Sequence, residues 1–323
     1  MTAVLEVRDL CVAYDTASGP ARAVSRVSLD VAPGEFLAIV GESGCGKTTL
    51  LFAIGQLLTY PARLTAGQVI FDGVDLATLD DEALRRSRWR DISVVMQSAM
   101  NALNPTMTIA AQLADVCRAH TDWDDQRVAQ RCAEVLAMVS IDSVHLHSYP
   151  FQLSGGMRQR AMIAMALLLE PKLVIMDEPT SALDVVAQRS LMGQVEALRR
   201  ELGFAVLFVT HDMSVVSHFS DRLAVMYAGE VVELGATREV FDRPRHPYAS
   251  GLLDAFPSLL GQRRNLTGIA GNPPSLVNPP RGCLFAPRCA HATDRCREAR
   301  PALVETDAHA VRCFLVNDEV DDD

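Results

Sequence analysis

Hydrophobic positions along this chain follow two kinds of pattern. LEVRDLCVAY (5–14) and SRVSLDV (25–31) alternate apolar with polar residues, the period of a strand with one buried face. EFLAIV (35–40), DISVVMQ (91–97), KLVIMDEP (172–179) and FAVLFVTHD (204–212) are short apolar runs bounded by polar residues. Such runs suit strands buried on both faces of a parallel sheet. TTLLFAIGQLL (48–58) has helical spacing. Strands alternating with helices predict an α/β domain, in which ligands bind beyond the C-terminal ends of the strands.

From about 98 to 168 the spacing is helical, with AAQLADVCRAH (110–120) and RVAQRCAEVLAMV (127–139) the clearest segments. This predicts a helical subdomain inserted in an α/β domain spanning 1–250. AMIAMALLL (161–169) is the densest apolar stretch. It is far shorter than the ~20 residues that cross a bilayer and reads as a buried helix. Beyond Val240 the texture changes: nine of the sixteen prolines lie from Pro244 onward, which predicts an extended segment crossing a surface. Residues 251–323 are therefore expected to form a small extension, closing in NDEVDDD, a solvated acidic terminus. No internal repeat is visible, so one catalytic cassette per chain is expected.

Composition narrows the function. Of 323 residues, 49% are hydrophobic and 22% charged, enough apolar material for a core. A net charge of −10 disfavours nucleic acid as a partner, which is bound through clustered Lys and Arg. MTAVLEVRDL has neither a basic n-region nor an apolar h-region. A cytosolic chain with reduced thiols is expected, and a disulfide framework is disfavoured.

GESGCGKTT (41–49) fits G-x-x-x-x-G-K-[ST] and sits between a buried strand and a helix. Gly41, Glu42, Ser43, Gly44, Cys45, Gly46, Lys47, Thr48 and Thr49 are expected to curl their backbone around phosphates. Lys47 would reach the β- and γ-phosphates, and the Thr48 hydroxyl would ligate Mg²⁺. Cys45 is expected to be tolerated rather than catalytic. KLVIMDE places Asp177 at a strand end, where it can hold Mg²⁺, and Glu178 beside it to orient or deprotonate a water. A plain helix N-cap is the competing explanation for that acidic pair, disfavoured once a phosphate loop precedes it. In LSGGMRQR (153–160), Ser154 with the Gly155 and Gly156 amides at a helix start makes a second anion site. Two phosphate-binding surfaces far apart in sequence predict a head-to-tail dimer.

LSGGM together with the phosphate loop and LVIMDEP strongly resembles the ATP-binding cassette ATPases, over positions from about Tyr14 to His211. The resemblance implies a P-loop ATPase whose ATP is sandwiched between one subunit's phosphate loop and its partner's LSGGM. It further implies that Tyr14 stacks on adenine, that Gln97 touches Mg²⁺ and the water, and that Ser181 to Asp184 cross the dimer interface. His211 would contact the γ-phosphate. No catalytic position departs from the family pattern, so hydrolytic competence is expected. SYPFQLSGG differs from the commoner YPHELSGG at Phe151 and Gln152, a change expected to tune contacts.

Chromosome-type relatives place a long coiled coil between the two motifs, and translation factors carry two cassettes; neither holds here, which favours a transporter ATPase. HPYASGLLDAFPSL and GIAGNPPSLVNPPRGCLFAPRC resemble the C-terminal extension of oligopeptide and dipeptide importer ATPases. QSAMNALNPTMTIAAQL is similar to that group's QxPxxSLNPxxTI segment, with Ala99 where proline is usual. The D-type subunit is the nearest resemblance. It implies a paralogous second ATPase, two transmembrane permease subunits, an extracytoplasmic substrate-binding protein, and a peripheral place on the cytoplasmic face of the membrane. The alternative is a cytosolic, redox-sensing ATPase uncoupled from transport.

Four of the eight cysteines, Cys283, Cys289, Cys296 and Cys313, lie in the extension. Their spacing lacks the tight C-x₂₋₄-C knuckle of zinc sites, and looser thiolates suit an iron–sulfur cube. The resemblance implies a [4Fe–4S] cluster. Zinc, with His291 or His309 substituting, and reduced structural thiols stay open. Cys11, Cys117 and Cys132 are expected to be packing residues.

Overall fold

A computed structural model describes residues 2–97, 102–181, 183–255 and 268–317. Ala99, Ala182, the FPSL of the extension and the terminal DEVDDD lie outside the described residues. The strands are β1 (Leu5–Thr16), β2 (Gly19–Val31), β3 (Phe36–Val40), β4 (Ala62–Phe71), β5 (Val74–Asp75), β6 (Ile92–Val95), β7 (Leu173–Asp177), β8 (Ala205–Val209), β9 (Arg222–Tyr227), β10 (Glu230–Ala236), β11 (Val304–Thr306) and β12 (His309–Val311). The helices are α1 (Lys47–Ile54), α2 (Asp81–Ser87), α3 (Ile109–His120), α4 (Asp125–Met138), α5 (Gly155–Leu167), α6 (Val185–Leu202), α7 (Met213–Phe219), α8 (Thr237–Asp242), α9 (Pro247–Asp254), α10 (Asp294–Glu298) and α11 (Phe314–Asn317).

The chain divides into two interleaved compact units. One comprises Met1–Leu5, Val31–Phe36 and Phe71–Phe208; the other comprises Glu6–Asp30, Leu37–Ile70 and Val209–Asp323. The C-terminal extension thus shares a compact unit with the phosphate loop.

In the first unit the strand order is β8-β7-β6, with β6 and β7 parallel and Val95 opposite Met176. Every residue of β7 is buried, as its unbroken apolar run requires. Between β6 and β7 the described residues are helical or irregular and contain no strand. The helices there start where the sequence offers a cap: Thr108, Asp124 and Ser154 accept from the N–H groups of Ala111, Arg127 and Met157. At the far end of α5, buried Arg131 of α4 donates through Nε to the Leu168 carbonyl (2.9 Å) and through Nη2 to that of Leu167 (3.2 Å); the first is an orphan carbonyl at the helix end, and the second also accepts from the Glu170 N–H. Cys117 and Cys132 are buried on α3 and α4.

In the second unit β2-β1-β4 are neighbours in one sheet, and β11-β12-β10-β9-β3 run in that order in another. β3 and β9 are parallel, and β9 and β10 form an antiparallel hairpin. The sequence patterns above passed over β4, β5, β9, β10, β11 and β12. The hairpin turn is Ala228–Gly229, with φ of 47° and 88°. A two-residue turn with both φ positive is usually marked by Asn-Gly or Asp-Gly, and alanine hides it. β10 is also masked by two carboxylates that lie inside the fold. Glu233 is 0% exposed and accepts from the Arg245 and His246 N–H groups and from His309 Nε2, at 2.9, 2.8 and 2.8 Å. Glu230, also buried, pairs with Arg300 at 3.0 Å. Those partners are needed, because an unpaired buried carboxylate is costly.

The extension does more than cross a surface. Leu284 and Phe285 are buried in a cluster with Val40, Val225, Tyr227, Val240 and Tyr248. The Tyr227, Tyr248 and Phe285 rings pack with centroids 4.5 to 5.4 Å apart, in the tilted and edge-on arrangements that aromatic quadrupoles favour.

Candidate nucleotide-binding site

The phosphate loop leaves the buried end of β3 and enters α1 at Lys47. Gly41 and Gly46 have φ of 155° and 104°. A Cβ on Gly41 would stand 2.1 Å from the Met226 carbonyl oxygen, and one on Gly46 would stand 2.1 Å from that of Ala23. Both positions admit only glycine. The β9–β10 turn braces the loop from behind, with the Gly229 N–H donating to the Cys45 carbonyl at 2.8 Å.

Lys47 is buried, and its Nζ donates to the Gly41 and Glu42 carbonyls at 2.8 and 3.0 Å. The ammonium is therefore held inside the curl of the loop. Cys45 is buried beside it, and burial pushes its thiol up, outweighing the lowering by Lys47. A protonated, enclosed thiol has little nucleophilic character. Tyr14 of β1 is half-buried, and its hydroxyl lies 3.1 Å from that of Thr49 on α1. His211 is exposed two residues beyond β8. The preceding Thr210 donates its N–H to the Ile39 carbonyl of β3 at 3.4 Å.

Glu42 is used differently from its neighbours. Its N–H donates to the Tyr248 hydroxyl at 2.9 Å, and its carboxylate accepts both Arg288 Nη atoms at 2.8 and 2.9 Å. Neither Tyr248 nor Arg288 was singled out from sequence, because the Glu42–Arg288 pair spans 246 positions and carries no local signal.

In the other unit, Asp177 ends β7 with 2% exposure. Glu178 follows with φ of 44°, a strained value for a side-chain-bearing residue. Gln97 Nε2 donates to Glu178 Oε2 at 2.8 Å, so two of the residues expected to handle water meet. Ser154 is exposed as the N-cap of α5, with Gly155 and Gly156 opening the helix behind it. Among the described residues a Cβ on Gly156 would meet nothing within 4 Å, and its φ is not in the left-handed range. Packing among the described residues gives no reason for glycine there.

The four tail cysteines all line one small cavity, together with His246, His291 and Phe285. Cys296 and Cys313 are buried. Burial pushes the Cys283, Cys289 and Cys313 thiols up, Cys313 to about 11, with a further rise from neighbouring thiols. Among the described residues no group of three or more His, Cys, Asp or Glu is arranged to hold a metal ion. His309 is committed to Glu233, whereas His291 faces the cysteines' cavity.

Among the described residues no helix is long and apolar enough to cross a membrane. Two family models match the chain: ABC transporter over residues 24–181, and the oligopeptide/dipeptide transporter C-terminal region over residues 232–296. The dipeptide transport ATP-binding protein DppD of Caldanaerobacter subterraneus is 40% identical over 98% of both chains. DppD of Bacillus subtilis is 42% identical over 98% of this chain and 95% of its own. Among solved structures, a dimeric ATP-binding cassette in a post-hydrolysis state with ADP and Pi is 31% identical, with a TM-score of 0.65, over 72% of this chain and 99% of its own. The reading as an ATPase uncoupled from transport finds no support among these relatives. Cassette fold, phosphate loop and near-full-length relatives agree: the chain is an ATPase of the ABC transporter ATP-binding family, in the group that carries the oligopeptide/dipeptide transporter C-terminal region.

Proposed function

We propose that this chain is the ATP-hydrolysing subunit of a membrane complex that imports dipeptides or oligopeptides. The observation that carries this reading is the 40% identity to a dipeptide transport ATP-binding protein across 98% of the chain, tail included. The subunit would sit peripherally on the cytoplasmic face, against two permease subunits supplied by an extracytoplasmic binding protein. Its ATPase partner would be a paralogue.

In this reading the loop amides from Gly41 to Thr49 and the Lys47 ammonium bind the β- and γ-phosphates, while Tyr14 stacks on adenine. Glu42 belongs to this loop and serves it as an anchor. Gln97 positions the attacking water and Glu178 takes its proton. His211 contacts the γ-phosphate. Ser154, Gly155 and Gly156 close on the ATP of the partner cassette, which accounts for a glycine at 156 that packing among the described residues does not require. Mg²⁺ needs only one or two carboxylates plus phosphate oxygens; Asp177, Thr48 and Gln97 would hold it, and it would neutralise charge on the β- and γ-phosphates. ATP binding closes the dimer and hydrolysis reopens it, shifting the permeases between two populations.

In the tail, Cys283, Cys289, Cys296 and Cys313 would hold a [4Fe–4S] cluster. The support is four thiols around one cavity, a donor set that suits a cube of irons better than a single ion. Bound there, the cluster would clip together a segment poor in regular structure.

The test is anaerobic purification of the chain with whatever co-elutes, followed by reconstitution in vesicles. ATP-dependent peptide uptake with permease subunits present supports the reading. A soluble homodimer with full ATPase activity and no membrane partner sinks it. Iron, sulfide and zinc analysis of the same sample decides the cluster.

A further inference from the structure

The cysteine-bearing tail grips the phosphate loop. Arg288 follows Pro287 and immediately precedes Cys289, and its side chain is only 4% exposed. Its guanidinium forms a two-pronged pair with the Glu42 carboxylate, at 2.8 and 2.9 Å. Its other donors are also engaged: Nε to the Ala270 carbonyl at 2.9 Å, Nη2 to the Ile269 carbonyl at 3.0 Å, and Nη1 to the Tyr227 hydroxyl at 3.3 Å. A guanidinium fixed on all sides is a rigid holder, because its fork matches a carboxylate in one geometry. On the loop side, Tyr248 takes the Glu42 N–H, so Glu42 is held by both backbone and side chain. The Glu42 carbonyl in turn accepts the Lys47 ammonium at 3.0 Å. One continuous chain of bonds therefore runs from the residue beside Cys289 to the lysine of the phosphate loop.

We propose that Arg288 is a positioning residue for ATP binding, through which the cysteine-bearing tail sets the affinity of the phosphate loop. Glu42 is the point of attachment, and Lys47 is the group whose position is set. Because coupling between sites is reciprocal in binding free energy, nucleotide in the loop must also be felt at the tail. The backbone of the segment 283–289, which carries Arg288, is where that should appear.

The inference rests on the phosphate loop being the ATP site, and Lys47→Ala tests that separately. If Lys47→Ala binds ATP like the wild type, the site assignment fails rather than the coupling. The experiment uses the full chain. Arg288→Gln and Glu42→Gln should each weaken ATP binding about 10-fold, the scale of a lost charge-assisted bond, with the loss falling on KM more than on kcat. The double variant should be no worse than either single one, and Arg288→Lys should recover part of the affinity. In the wild type, the rate of amide hydrogen exchange in the segment 283–289, followed by peptide mass spectrometry, should change at least about threefold on adding ATP. In Arg288→Gln it should not change. If Arg288→Gln fails to fold, Glu42→Gln and Arg288→Lys carry the test. ATP affinity within twofold of wild type in folded Glu42→Gln and Arg288→Lys, or additive losses in the double variant, overturns the proposal.

Discussion

Gln97 donates its side-chain amide to the Glu178 carboxylate across 2.8 Å. The pairing follows from register: Val95 and Met176 are the last paired positions of the parallel strands β6 and β7, and Gln97 and Glu178 each lie two residues further on. Neighbouring parallel strands thus deliver an amide and a carboxylate to the same place at a C-terminal sheet edge, where α/β folds bind ligands.

Glu178→Gln should preserve that geometry, since the new amide can still accept from Gln97, while removing the base. Turnover should fall about 10² to 10⁴-fold, the usual contribution of a positioned acid or base, with nucleotide retained and the dimer held closed. Phosphate release and gel filtration of the ATP-loaded protein measure both. Gln97→Ala leaves the base in place but loses its orienting partner together with one contact to the water and Mg²⁺, so turnover should fall by a smaller factor than in Glu178→Gln. Turnover at the wild-type rate in Glu178→Gln would remove Glu178 from the chemistry.

The two loop glycines that meet backbone should differ from the one that does not. A Cβ on Gly46 runs into the Ala23 carbonyl at 2.1 Å, whereas a Cβ on Gly44 meets nothing within 4 Å among the described residues and is opposed only by its φ of 78°. Gly44→Ala should cost about 1–2 kcal/mol and still fold. Gly46→Ala must push β2 away from the loop and should lose markedly more, in both melting temperature and nucleotide binding. Equal destabilisation of the two variants would mean that backbone conformation alone, and not close approach, governs the loop.

How much of this was legible beforehand depended on whether the controlling contact was local. The runs that became β3, β7 and β8 were readable because both faces are buried, so no polar residue interrupts them. The Ser154 cap of α5 was readable because capping spans three residues. The β9–β10 hairpin was not: its turn uses alanine at a positive φ, and Glu230 and Glu233 imitate a solvent face while lying inside. Their partners Arg300 and His309 are about seventy positions away. Glu42 lay in a recognised motif, yet its partner Arg288 could come only from tertiary structure.

Gly156 separates fold from assembly. Among the described residues nothing fills the space beside it, so Gly156→Ala should stabilise the monomer by about 0.5–1 kcal/mol through helix propensity. If the opening of α5 closes on a partner's nucleotide, the added methyl stands in the way, and ATP-dependent dimerisation and hydrolysis should drop at least about 10-fold. Urea unfolding of the monomer and light scattering with ATP give the two numbers. A variant that is stabilised and fully active would show that no partner approaches this helix start.

At the other end of the same helix, Arg131 offers a test of what holds the signature segment in place. Its side chain is 9% exposed and contacts Glu170 at 3.1 Å, but Glu170 is 66% exposed, and ion pairs with so solvated a partner contribute about 0–1 kcal/mol. The stronger bonds run to the carbonyls of Leu167 and Leu168, both buried. The Leu167 carbonyl also accepts from the Glu170 N–H at 3.1 Å, so removing the Arg131 donors strands chiefly the buried Leu168 carbonyl, at about 1–3 kcal/mol. Arg131→Met keeps the apolar stem and loses the donors, so its urea midpoint should fall clearly, whereas Glu170→Gln should sit close to wild type. A loose C-terminal turn in α5 should also weaken ATP-driven dimerisation, because the helix that presents Ser154 is anchored at that turn. A large loss in Glu170→Gln with little in Arg131→Met would reverse the assignment, making the surface ion pair the anchor in place of the buried carbonyl cap.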